Sequence, residues 1–507
     1  MCSPKAADPL AFNPEAFAVE SCELDGRKVS YRSYKDISYC ERPLDPIQKL
    51  HIYVPLAYYS SEKVGAYTLR SAPIFLPNTV GGYMPGPAIE PGIDSHTGQP
   101  NSLFEALLHG YVVVSAGVRG RTSGKISHEF FEGSVEGKLG EEGRKVGRAP
   151  AFIVDYKAAI RYLRHNKEVI PGNVERIVTN GTSAGGALSS LAGATGNAPE
   201  YEPYLNAIGA AKERDDIFAA SCYCPIHNLE NADMAYEWQF SKETTFHRTR
   251  HHRDENGKVT RVPFSGDLTE EQVGVAKDLA CLFPEYVNSL HLTNQEGKLL
   301  SLESDGNGSF RDHVTSHLEK SILKEASTLD NETNRKWLMT PGSEIAGQDY
   351  FTLIDGKVTD FDWTKFVAKT TRMKAPPAFD ALDLSSPENE EFGDEEVDGR
   401  HFTAYAYEHS HAKGAEKAKE EILYLMNPIP HIQKGTDTTA KYWRIRHGSF
   451  DRDTSLAIPT ILATLLENKG YVVDFALPWG LPHSGDYDLP ELFAWIDQVV
   501  ELAEKES

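Results

Sequence analysis

Several things are scarce in this chain. Its 507 residues hold six cysteines, six methionines and six tryptophans. Six cysteines in so long a chain exclude a disulfide-built scaffold. Cys22 and Cys40 flank a hairpin pattern, and spacing leaves open whether they pair. Cys222 and Cys224 sit in an apolar run and read as buried thiols. Positive charge is also short, with 52 Lys and Arg against 74 Asp and Glu and a formal net charge of −22. That balance excludes a broad nucleic-acid footprint and disfavours an anionic membrane surface. Long apolar runs are missing as well. The stretch from Tyr111 to Val118 falls far short of the roughly 20 residues that span a bilayer. There is no Walker motif, dinucleotide fingerprint or internal repeat. The opening Met1-Cys2-Ser3 has no signal peptide ahead of it and reads as cytoplasmic. Secretion or lipid anchoring through Cys2 is the alternative if a leader was removed.

What is present is a globular composition, 40 % hydrophobic with 23 Tyr and 22 Phe. An Asp25-Gly26 turn opens a hairpin whose second strand alternates from Val29 to Tyr39. Strands are expected at 48–54, 72–76, 110–116, 176–180 and 217–223, with helices over 155–164 and from Ala184 onward. The tail resumes with strands at 442–446 and 471–477 and helices over 455–468 and 490–502. Strands alternating with helices imply βαβ units and a mostly parallel sheet, an α/β fold. From His227 to Gly435 the alternation stops. The expected organisation is a core of residues 1–226 and 436–507, with 227–435 inserted as one domain.

The chemistry concentrates at Gly181-Thr182-Ser183-Ala184-Gly185-Gly186. G-x-S-x-G between a strand and a helix is a nucleophile elbow: the turn is strained, and small neighbours let the chains pass. A serine nucleophile needs a base, and the base needs an orienting acid. After strand 442–446 comes His447-Gly448-Ser449-Phe450-Asp451. After strand 471–477 comes Trp479-Gly480-Leu481-Pro482-His483. Ser183, Asp451 and His483 thus follow the α/β-hydrolase order of serine, acid and histidine. Asp453 is the rival acid, but its spacing from Gly448 is wrong. The oxyanion donors expected are the amide of Ala184 and that of Gly81 or Gly82, in the loop after strand 72–76.

Other patterns look chemical and are given bland readings. His247, His251 and His252 lie in a charged run expected to be a solvated loop or hairpin. His409 and His411 lack a third ligand. Asp305-Gly306-Asn307 opens like a calcium loop, but Ser316 stands where that loop needs Glu. No metal or cofactor is expected.

The elbow Asn180–Ser189, the loop Pro77-Asn78-Thr79-Val80-Gly81-Gly82, Asp451-Arg452-Asp453 and the distant His483 together resemble bacterial tannases. These are tannin acyl hydrolases, α/β hydrolases with a large lid between nucleophile and acid. The resemblance covers most of the chain, insertion included. It implies that Asp453, Lys374 and Glu388 bind the three galloyl hydroxyls and that Ile226 and Pro387 sandwich the ring. Adjacent phenols suit that set, since carboxylates accept and an ammonium donates. Such a site rejects rings without hydroxyls, because its own polar groups stay unpaired. Against this, Glu388 lies in a run, Ser386–Gly399, with the composition of a solvated acidic face. The expected activity is hydrolysis of galloyl esters and depsides through an acyl-enzyme, with a small phenolic ester as partner. The rivals are a carboxylesterase or feruloyl-type esterase and a non-catalytic hydrolase-fold binding protein.

Overall fold

The computed structural model describes residues 8–94, 97–124, 144–253, 259–328 and 338–506, with the side chains of 250–261 and 328 also outside the description. Cys2 lies outside the described residues.

Thirteen strands are described: β1 Ala18–Leu24, β2 Arg27–Ser38, β3 Lys49–Pro55, β4 Pro73–Pro77, β5 Val112–Ala116, β6 Asn173–Thr182, β7 Ala219–Tyr223, β8 Thr245–Arg253, β9 Val259–Asp267, β10 Thr352–Ile354, β11 Lys357–Thr359, β12 Tyr442–Arg446 and β13 Val472–Ala476. Nine of them form one sheet in the order β1-β2-β3-β5-β4-β6-β7-β12-β13. The first three strands run antiparallel at one edge, and β5 to β13 along that order are parallel. The expected α/β-hydrolase architecture is therefore present, as a mixed sheet.

Local chemistry explains the elements. Asp25 and Gly26 both take positive φ, 52° and 71°, as a two-residue hairpin turn requires. Strand β5, Val-Val-Val-Ser-Ala, is buried along its whole length and shows no polar alternation, as expected of a central parallel strand. It starts two residues later than the pattern indicates, because Gly110, at φ 96°, ends a helix Ser102–His109 that the residue pattern does not announce. The helix Ala151–His165 is buried on all sides except at its end. Its charges are paired inside: Asp155 with Arg119 at 2.7 Å, and Lys157 and Arg161 with Asp215 at 2.7 Å each. The helix Ala184–Ala194 is rich in small residues because neighbours press on it; a Cβ at Gly193 would lie 2.6 Å from the Trp443 ring.

Residues 224–441 fall between β7 and β12, which pair side by side in parallel. They form helices, the β8–β9 and β10–β11 hairpins, and long connections. Their side chains share the apolar core of the sheet layer: Tyr236, Phe283, Phe366 and Phe379 are buried in one cluster with Leu456 and Trp479. His247 is on the solvated hairpin, exposed. The side chains of His251 and His252 lie outside the described residues. Asp305 closes a turn, accepting from the Asn307 amide at 2.9 Å. His409 bonds the Tyr405 carbonyl at 2.8 Å, and His411 pairs with Glu271 at 3.1 Å, both surface contacts. Cys22, Cys40, Cys222, Cys224 and Cys281 are unpaired, with Cys222 and Cys224 buried. Among the described residues no helix is long and apolar enough to cross a membrane.

Candidate active site

The sequence-derived residues of the reaction centre follow the carboxyl ends of neighbouring strands, where open parallel sheets hold their ligands. Strand β4 leads to Asn78–Tyr83, β6 to Ser183, β7 to Cys224–Ile226, β12 to His447–Asp453 and β13 to His483.

Ser183 takes φ 62° and ψ −124°, a strained conformation for a residue with a Cβ. The strain is held by tight surroundings. A Cβ on Gly181 would lie 2.2 Å from the Gly185 carbonyl oxygen, and one on Gly185 would lie 2.4 Å from Asn78 Oδ1. Gly186 is equally constrained, since a Cβ there would lie 2.6 Å from the Tyr223 carbonyl oxygen. The Ser183 amide donates to Tyr223 O at 3.0 Å, and Ser183 O accepts from the Ile226 amide at 3.2 Å. Ile226 is thereby fixed beside the serine.

His483 Nδ1 and Asp451 Oδ2 are 2.7 Å apart, so Nδ1 donates and Nε2 is left as the acceptor. The other oxygen of Asp451 accepts from the Asp453 amide at 2.8 Å. Gly485 lets the histidine loop lie against β6, since a Cβ there would sit 1.9 Å from Thr182 Oγ1. Burial works against an ionised Asp451, but His483 and His447 outweigh it and hold its pKa at about 2. Burial likewise opposes the imidazolium of His483, yet the carboxylates of Asp451 and, less strongly, Asp453 keep its pKa well above 6.5. The Ser183 hydroxyl carries no hydrogen bond to His483 in this arrangement, and such bonds commonly tighten only in the substrate complex.

The loop that carries Gly81 and Gly82 is held by Asn78. Its Nδ2 donates to the Gly185 and Asn180 carbonyls at 3.0 and 3.1 Å, and its Oδ1 accepts from the Val80 amide at 3.2 Å. Gly82 and Tyr83 both take positive φ, 54° and 57°. Among the described residues the amides of Gly81, Gly82 and Ala184 have no backbone partner outside the helix, which leaves them as available donors.

Lys374 and Asp453 come together, Nζ to Oδ1 at 3.6 Å. The hydroxyl of Tyr236 arranges this meeting: it accepts from the Met373 and Lys374 amides at 3.0 Å each and donates to Arg452 O at 3.0 Å. Arg372 anchors the same segment through Glu237 at 2.6 Å, both side chains fully buried. Glu388 is buried too, at 9 % exposure, in a short helix Pro387–Glu391 capped by Ser386. Burial raises its pKa, opposed by the charges of Lys374 and Arg121. The acidic run is thus a solvated face only in part; Glu388 turns inward with Asn389, which bonds the buried Asp380 at 2.7 Å. Pro387 is half-buried and borders a cavity of about 440 Å³ with Arg121, Ser386 and Glu390 in its walls. A larger hollow of about 600 Å³, between Arg161, Glu202 and Arg214, contains none of these residues.

Sequence reasoning gave no site role to Asn78, Tyr236 or Cys224. Asn78 carried a signal, a polar residue directly after a buried strand and before two glycines. Cys224 Sγ lies 3.9 Å from His483 Nε2. Burial raises its pKa, which keeps it a thiol and no rival nucleophile. Cys224, Asp451 and His483 are the described grouping compact enough to ligate a metal, but the Asp and His are already bonded to each other.

The BD-FAE family model matches residues 142–244, the stretch around the elbow. Two curated esterases of Mycobacterium tuberculosis align with short segments. LipQ is 34 % identical over 88 residues, 17 % of this chain and 20 % of its own length. LipC is 45 % identical over 58 residues, 11 % of this chain and 14 % of its own. The chain thus spans about a fifth or less of those relatives. Solved structures match far more fully. A tannase from Lactobacillus plantarum is 45 % identical with TM-score 0.86, over 97 % of this chain and 100 % of that one. A tannin acyl hydrolase solved with ethyl gallate is 44 % identical with TM-score 0.83, over 97 % and 99 %. The tannase of Fusobacterium nucleatum is 43 % identical with TM-score 0.84, again over 97 % and 99 %.

Proposed function

The chain belongs to the tannases, carboxylic ester hydrolases of the α/β-hydrolase fold, and from that premise we propose that Ser183, His483 and Asp451 hydrolyse its galloyl esters through an acyl-enzyme. Its substrate is a small phenolic ester, and its product is gallic acid. The observation that carries the galloyl reading is the meeting of Lys374 and Asp453, two residues beyond the triad acid, with Glu388 facing the same charges.

In this reading His483 Nε2 takes the Ser183 proton as Oγ attacks the galloyl carbonyl. Asp451 keeps the proton of Nδ1 in place and stabilises the imidazolium. The amides of Ala184 and of Gly81 or Gly82 receive the oxyanion, next to the positive end of the helix Ala184–Ala194. The alcohol leaves with the proton from His483. Water, deprotonated by the same nitrogen, then releases gallate. Lys374, Asp453 and Glu388 bind the three hydroxyls, and Ile226 and Pro387 flank the ring. Residues 227–435 act as a lid domain over a core of 1–226 and 436–507. A cytoplasmic location belongs to the same proposal, with secretion or lipid anchoring through Cys2 as its alternative.

The test compares methyl gallate, methyl ferulate and methyl benzoate with wild type and Ser183→Ala. Gallate cleaved in strong preference, and lost in the variant, is the expected result. Ferulate cleaved faster than gallate supports a feruloyl-type esterase instead. Failure of Ser183 to react with a fluorophosphonate supports a binding protein.

A further inference from the structure

We propose that Arg121 is a positioning residue that couples the oxyanion loop to the helix facing the galloyl hydroxyls, so that one side chain sets both acyl recognition and oxyanion geometry. This rests on the galloyl reading above and extends it to a residue outside the reaction centre.

Gly81 and Gly82 offer no side chains to pack, and the left-handed conformation of Gly82 and Tyr83, unfavourable for the tyrosine, has to be held by bonds to neighbours. The loop's peptide planes are held by one bond within the turn and by others from outside it. The Met84 amide donates to Gly81 O at 2.9 Å. Arg121, which follows strand β5, supplies two bonds more. Its Nε donates to Gly82 O at 2.9 Å, and its amide donates to Tyr83 O at 2.8 Å. The next residue along, Tyr83, bonds Ile226 O through its hydroxyl at 2.8 Å, so the same loop abuts the ring-flanking position.

The other end of the guanidinium reaches the insertion. Nη1 of Arg121 pairs with Glu390, two residues after Glu388 in the helix Pro387–Glu391. Arg148 holds the far side of this contact, 3.2 Å from Glu390 Oε1, and donates to Arg121 O at 2.6 Å. Arg121 is 5 % exposed, so its charge is placed almost wholly against protein partners. A planar fork holds a carbonyl with Nε and a carboxylate with Nη1 in one fixed geometry, which the single nitrogen of a lysine does not reproduce. Glu388 and Glu390 share one turn of the capped helix Pro387–Glu391. A galloyl ring that seats on Glu388 therefore bears on Glu390, on Arg121 and on the Gly82 carbonyl in turn.

The test uses Arg121→Lys and, as the milder change, Glu390→Gln. Each is assayed on methyl gallate and methyl benzoate, with thermal unfolding of each variant and its affinity for benzeneboronic acid, whose serine adduct places an oxygen in the oxyanion hole. For Arg121→Lys, kcat should fall at least about tenfold on both esters, and boronate affinity should fall in step, because small misplacements of reacting groups are that costly. The gallate-to-benzoate ratio of kcat/KM should shrink in both variants. A loss of stability alone, with boronate affinity and the ester ratio at wild-type values, overturns the coupling. A wild type without gallate preference overturns instead the galloyl reading beneath it.

Discussion

Replacing Lys374 by Met tests the hydroxyl-reading set with little disturbance to the fold, because the lysine is 22 % exposed and methionine fills its stem. The ammonium lies 3.6 Å from Asp453 and is the first charge opposing the burial of Glu388. Its removal takes one charge-assisted hydrogen bond from the galloyl ester, about 1.5–3 kcal/mol. At about 1.4 kcal/mol per factor of ten, kcat/KM for methyl gallate should fall about 10- to 150-fold. Methyl benzoate offers no hydroxyl to the site and should change by less than about twofold. The electrostatics add a second signature. Without Lys374 the raised pKa of Glu388 climbs further, since burial and Asp453 both push it up. The ionised carboxylate, the stronger acceptor for phenol protons, then forms only at higher pH. The gallate-to-benzoate ratio of kcat/KM should accordingly recover in part as pH rises, whereas the effect of His483 cancels in the ratio. Steady-state kinetics on the two methyl esters across pH measures both effects. Equal losses on the two esters would refute the assignment of Lys374 to the galloyl hydroxyls.

Three further outcomes are expected. In wild type, kcat/KM should rise with pH through a midpoint above 6.5, because the proposed mechanism works through neutral His483 and Asp451 holds its pKa up; Asp451→Asn should move that midpoint down and cost about 10⁴-fold in kcat, and an unmoved midpoint counts against the pairing. Gly185→Ala puts a Cβ 2.4 Å from Asn78 Oδ1 and 2.7 Å from Val80 O, so it should cost about 1–3 kcal/mol in denaturant unfolding and lower kcat by displacing the oxyanion loop; unchanged stability would contradict the close approach. Arg372→Met strands the fully buried Glu237 and should destabilise by about 3–5 kcal/mol, with much of the loss recovered in a double variant carrying Glu237→Leu; additive losses would mean the two do not act as a pair.

The parts of this protein that could be read directly are those built from neighbours in the chain. The elbow is one: a strand, two flanking glycines and a small-residue helix fall within about 20 residues, and their steric logic is local. The strands β7, β12 and β13 and the residues after them were legible for the same reason, because each buried run ends where its loop residue begins. The helix Ala151–His165 was harder. Its charges suggest an outward face, yet Asp155, Lys157 and Arg161 meet partners 36 to 58 positions away and turn inward. Glu388 is the sharper case: its acidic neighbours argue for solvent, while Asp380, contacted through Asn389, draws the helix into the core.

Read along the chain alone, the pattern supplies the order of the candidate serine, acid and histidine, the strand–helix alternation and the place where that alternation breaks. All of these depend on period and on short spacing, which the chain carries within itself. The folded chain is needed to see how Lys374 meets Asp453, what Asn78 and Tyr236 hold in place, and that Arg121 reaches from Gly82 to Glu390. Those contacts join residues 39 to 269 positions apart, and which side chain satisfies a buried polar group across that distance is set by packing rather than by pattern.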